Sequence, residues 1–151
     1  MNAKVVCMVR GGESGRLVQE KAAAFSLQEN LTLVFLHIVD QRVSLSENET
    51  LNNAWRDEMT WLGRVTLGLA RKRAEDRGLK AETVILHGPI YETTIKFLKQ
   101  NTIARLYIGS PHIGAEDFDK RVNRIKSFAE RIQHETNIEV VIAKPEGGNI
   151  S

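Results

Sequence analysis

Two glycine-bearing turns hold the residues of this chain best suited to chemistry. The first ends "VVCMVRGGES", residues 5 to 14, where Arg10, Gly11 and Gly12 follow an apolar run. The second is "GSPHIG", residues 109 to 114, again after an apolar run, with Gly109, Ser110 and Gly114. Glycine lets backbone N–H groups approach an anion, and a following helix N-terminus adds positive potential. Either turn could cradle a phosphate. Either could equally be a tight turn and nothing more. Arg10 narrows the choice, because a guanidinium donates hydrogen bonds and accepts none.

The other reactive residue types do not assemble a catalytic set. His37, His87, His112 and His134 show neither metal-ligand spacing nor a triad pattern with a nucleophile. His37 and His87 fall at strand ends and read as hydrogen-bonded structural residues. Cys7 is the only cysteine, so no internal disulfide forms; in its apolar run it reads as a small buried hydrophobe in a reducing cytosol. A non-enzymatic protein is expected.

These turns need a scaffold, and the chain supplies one domain's worth. It has 151 residues, 42% apolar and 26% charged, with a formal net charge of +2 from 21 basic and 19 acidic side chains. So even a balance argues against nucleic acid, which needs a concentrated basic face. "RKR" at 71–73 and "KRVNRIK" at 120–126 have acids close by and read as solvated helix faces. No apolar run approaches the ~20 residues that span a bilayer, and the N-terminus has no signal-peptide pattern. A cytoplasmic protein is expected, without membrane contact.

Five apolar runs read as buried strands: "AKVVCMV" (3–9), "LTLVFLHIV" (31–39), "AETVILHG" (81–88), "ARLYIGS" (104–110) and "IEVVIAK" (138–144). Helical stripes lie between them. Val18, Ala22 and Phe25 line the first, closed by Asn30. Leu51, Trp55, Met59, Leu62, Val65 and Leu69 line a long second helix, expected to face inward, with a Ser46/Glu49 capping box and Gly78 at its end. Pro89 opens a third, with Tyr91, Ile95 and Leu98 inward. Phe118, Val122, Ile125, Ala129 and Ile132 line a fourth, which reads as continuous. This alternation predicts an α/β fold with a parallel sheet and helices on both faces. Residues 1–144 form the domain and 145–151 a flexible tail.

The ordered set of segments resembles the universal stress protein family. "VVCMVRGGES" is similar to its first strand and turn, V-x-V-D-G-S-x, and "LTLVFLHIVD" to its second strand. "HGPIYETTIKFLKQNTIARLYIGS" resembles the third strand's end, the next helix and a fourth strand ending V-M-G-S-H-G. "SFAERIQHETNIEVVIAK" resembles its last helix and strand. The resemblance implies a three-layer sandwich, a five-stranded parallel sheet in order 3-2-1-4-5 with four helices on both faces. It also implies a homodimer, formed through the last strand (Ile138 to Ala143).

Some members of that family bind ATP through G-x-x-G, nine residues, then G-S or G-T, with an acid ending the first strand. This chain departs from the pattern three times. Arg10 stands at the acid. In "GSPHIG", Gly109 matches the first glycine, His112 stands at the second, and Gly114 comes two residues late. Lys126 and Ser127 stand at the final glycine and hydroxyl, inside the expected fourth helix, where backbone N–H groups are already paired. The resemblance therefore implies a regulatory or stress-response protein with a degraded nucleotide site and no expected cofactor. The alternative is a nucleotide-binding module for ATP or a related anion. Val39 and Asp40 would then lie near the base, and Gly109, Ser110, Gly114 and Ser127 near the phosphates, with Arg10 and Gly11 also in the pocket and Arg10 selecting a different anion or nucleotide. A third reading, an enzyme, rests on "RGGESG", which resembles the S-G-G-x-D-S loop of ATP pyrophosphatases. There Arg10 replaces the first serine and Ser14 the acid.

Overall fold

The computed structural model describes residues 3–10, 15–40, 47–110 and 117–143. Gly11, Gly12, Ser14, Ser46, His112, Gly114 and the tail lie outside them. The elements run β1 (Lys4–Met8), α1 (Gly15–Glu29), β2 (Thr32–Val39), α2 (Glu49–Asp76), β3 (Ala81–His87), α3 (Ile90–Gln100), β4 (Ile103–Gly109), α4 (Phe118–Thr136) and β5 (Glu139–Ala143). All strand pairs are parallel, in the order β3-β2-β1-β4-β5. This is the predicted α/β sandwich.

The central strands β1 and β2 are buried on both faces because their side chains alternate between two cores. From β1 and β2, Val5, Cys7, Leu33 and Phe35 join Val18 and Ala22 of α1 and Leu67 and Ala70 of α2. Val6, Met8, Val34 and Leu36 join Leu98 of α3 and Ile125, Ala129 and Ile132 of α4 on the other side. With α1 and α2 on one face and α3 and α4 on the other, the chain reverses direction across the sheet between β1 and β4. In open α/β sheets such a reversal is where ligands bind, outside the carboxyl ends of the strands.

The helix ends follow local chemistry. Asn30 takes a left-handed φ of 55° after α1, and Gly78 a φ of 82° after α2. The capping box expected at Ser46 and Glu49 gives way to Asn48, whose side chain accepts hydrogen bonds from the N–H groups of Thr50 (2.9 Å) and Leu51 (3.4 Å). Pro89 sits one residue earlier than expected, at the N-cap of α3.

The inward face of α2 is a correction. Leu51, Leu62, Val65 and Leu69 are exposed, and Trp55 and Met59 only half-buried. The buried residues are Asn52, Gly63, Leu67, Ala70 and Ala74. The reason is steric. A Cβ added to Gly63 would lie 2.4 Å from Cδ2 of His37, so at that point the helix can approach the sheet only with no side chain between, and Ala70 and Ala74 with Leu67 complete the buried face. The bulkiest stripe turns away.

Candidate functional site

The sheet brings several predicted residues to one rim. Cys7 is in register with Tyr107, so β1 and β4 end side by side, placing Arg10 at one strand end and Gly109 and Ser110 at the other. The N–H of Val9 donates to the Leu36 carbonyl (2.8 Å), which continues β1 alongside β2 toward Val39 and Asp40. The Ser110 N–H donates to the Ala143 carbonyl at 3.1 Å, fixing the end of β4 to β5. Gly11 and Gly114 fall outside the described residues.

Arg10 is exposed at the mouth of this rim. Partial desolvation by neighbouring protein draws its pKa below the ordinary arginine value. The exposed side chain nevertheless stays a cation at neutral pH, since arginine's ordinary value is far above it. The rim thus carries a positive donor where the family pattern places an acceptor. Val39 is buried, and its carbonyl already accepts the Gly88 N–H at 3.0 Å. Gly109 needs no glycine for its backbone: an added Cβ would meet Val18 at 3.6 Å, an ordinary contact.

Ser110 is the residue the sequence undersold. Its hydroxyl is buried and has no hydrogen-bond partner among the described residues. Buried polar atoms are nearly always paired, so such an atom at a strand end suits an acceptor or donor brought by a ligand. A serine after a strand gives no sequence signal that its hydroxyl is unpaired.

Ser127 does not join the group. It is the tenth residue of α4, exposed, and α4 runs unbroken from Phe118 to Thr136. The N–H groups around it belong to the helix ladder.

The two strand-end histidines are built into the scaffold. His37 Nδ1 donates to the Val9 carbonyl at 2.8 Å, while Gly63 of α2 packs on its ring. The Thr60 hydroxyl donates its proton to the Arg56 carbonyl (2.9 Å), so His87 Nε2 must donate to Thr60 Oγ1 (3.0 Å). No three His, Cys, Asp or Glu side chains are grouped to hold a metal among the described residues. Cys7 is fully buried, which pushes its thiol pKa far above the ordinary value and leaves it protonated. No helix among the described residues is long and apolar enough to cross a membrane.

The universal stress protein family model matches residues 1–144, and the chain belongs to that family. Among solved structures, hypothetical protein MJ0577 is similar with a TM-score of 0.76 at 19% identity, covering 98% of this chain and 99% of that one. Universal stress protein UspA from Lactobacillus plantarum gives a TM-score of 0.79 at 12% identity, covering 94% and 97%. A universal stress protein from Archaeoglobus fulgidus in complex with dAMP gives 0.61 at 15% identity, covering 94% and 97%. Another universal stress protein of the same fold is in complex with cAMP, with a TM-score of 0.66 at 14% identity over 93% and 96%. No functionally curated protein matches the chain.

Proposed function

We propose that this chain is a non-enzymatic, dimeric regulatory or stress-response protein of the cytoplasm in which the ordinary ATP site is degraded. One observation carries the reading: Ser127, aligned with the family's phosphate-binding hydroxyl, sits exposed in the middle of α4. A phosphate needs unpaired N–H donors, and only a helix's first turn leaves them. Arg10 supports the same reading at the other end, because a nucleoside loses its acceptor there. Such a protein acts through its surface. The dimer forms along β5, the sheet edge, whose Val140, Val141 and Ile142 are half-buried; exposed edges are normally paired or covered. Mass spectrometry of the denatured, freshly purified protein tests the reading: no stoichiometric nucleotide is expected, and an adenine nucleotide at one per chain contradicts it.

A second reading has its own support. The Ser110 hydroxyl, without a partner among the described residues and with Arg10 on the adjacent strand end, suits a phosphorylated ligand in a variant pocket. Similar structures hold cAMP and dAMP, so a nucleotide with a differently placed phosphate is the natural candidate.

A further inference from the structure

The outward face of α2 carries a feature that neither the core nor the strand-end rim uses. Leu51, Leu62, Val65 and Leu69 are 58%, 42%, 42% and 51% exposed, and Trp61 beside them is 61% exposed. With half-buried Trp55 they form one stripe. The positions 51, 55, 58, 62, 65, 69 and 72 alternate steps of four and three, the heptad spacing of a helix that packs along another helix. Glu58 and Lys72 occupy two of these seven positions, and neither has a partner among the described residues. The helix has 28 residues, a length of ~42 Å or four heptads.

We infer that α2 is a self-association surface, on which a second copy of this chain lays its own α2 antiparallel. Charge selects both the occupant and its direction. From Glu49 to Glu58 the helix carries Glu49, Asp57 and Glu58 against Arg56 alone. From Arg64 to Asp76 it carries Arg64, Arg71, Lys72 and Arg73 against Glu75 and Asp76. An acidic half followed by a basic half is complementary to itself only head to tail. A parallel pair would set Glu58 against Glu58 and Lys72 against Lys72 in the seam, which is unfavourable.

The antiparallel register follows from the stripe. Leu62 packs opposite Val65 of the second copy, and Leu69 opposite Glu58. Trp55 then meets Lys72 of the second copy, whose ammonium can lie over the indole ring while its neighbour Glu58 pairs with it. Leu51 comes opposite Asp76. On the flank, Trp61 of each copy reaches Gly68 of the other. That accounts for a glycine in mid-helix whose added Cβ would meet nothing within 4 Å among the described residues. Left exposed, such a glycine only weakens the helix.

This interface is separate from β5 pairing, since α2 packs on β2 and β3 at the other side of the sheet. The test is disulfide trapping in the full chain, whose single native cysteine is buried. Leu51→Cys and Asp76→Cys proteins, mixed under mild oxidation, should form the mixed disulfide dimer, whereas Leu51→Cys alone should not cross-link to itself. In sedimentation equilibrium, Glu58→Lys and Lys72→Glu should each weaken the association about tenfold. The double exchange should return it to within about threefold of the parent. The inference is overturned by self-cross-linking of Leu51→Cys without mixed product, by a double variant no better than the weaker single, or by absence of self-association through this face at ~200 μM. Binding of the stripe to anionic phospholipid vesicles in place of self-association would overturn it too, assigning the face to a lipid surface.

Discussion

Two glycines five residues apart on α2 should respond in opposite directions to the same substitution. At Gly63, an added methyl falls 2.4 Å from His37 Cδ2 and 2.8 Å from Nε2, where ordinary contact begins near 3.4 Å. Something must therefore move by roughly 1 Å, as the difference between those distances requires. The ring cannot yield freely, because its Nδ1 is held to the Val9 carbonyl at 2.8 Å. Overpacking of this kind costs about 2–3 kcal/mol, and the better helix propensity of alanine returns about 1. Gly63→Ala should thus destabilise the fold by about 1–2 kcal/mol. Gly68 has open space around it, so Gly68→Ala should stabilise by about 0.5–1 kcal/mol. Urea unfolding at low, fixed protein concentration reads both, and the midpoints should move apart at unchanged m-value. A Gly63→Ala protein as stable as its parent would refute the reasoning, because α2 would then not be seated on His37.

Three further outcomes follow from the packing. Burial raises the Cys7 pKa, so the thiol stays protonated in the folded chain while the unfolded chain ionises near pH 8.5. Its contribution is complete below that pH and declines as pH rises above it, approaching about 1.4 kcal/mol per pH unit. Stability measured from pH 7.5 to 9.5 should fall less steeply for Cys7→Ala, and identical slopes would count against a buried thiol. Arg105 stacks on Phe25 at 3.9 Å, donates to the Tyr107 hydroxyl at 3.1 Å and pairs with Glu139 on β5 at 2.9 Å. Arg105→Lys keeps only a charge and should lose about 1–2 kcal/mol by thermal unfolding, more than Glu139→Gln, whose carboxylate is largely exposed. Ser110→Ala removes a buried hydroxyl with no partner among the described residues and should leave stability unchanged or raised by about 1 kcal/mol; a comparable loss in calorimetric melting would reveal a partner within the chain.

The architecture was legible because parallel strands covered on both sides must be apolar at nearly every position. Val5 to Val9 and Leu33 to Leu36 show this without interruption. The facing of α2 was not legible. A helix with a large apolar stripe and a small one gives periodicity for both, and bulk favours the wrong one. Only the close approach at Gly63 reveals which side meets the sheet, and glycine in a helix carries no sign of what it approaches. Arg10 and the displaced glycines were visible as departures, since they change residue type at positions the family pattern defines. The Ser110 hydroxyl was invisible, because hydrogen-bond satisfaction is a property of neighbours brought together from β4 and β5.

The degraded-site reading meets its most direct test in calorimetric titration of the nucleotide-free protein with Mg·ATP. The predicted result is no saturable heat up to roughly 1 mM ligand, a free energy of binding weaker than about −4 kcal/mol. Saturable binding at micromolar affinity would contradict the account. It would show that Arg10 and the altered turn after β4 hold a nucleotide without phosphate donors around Ser127.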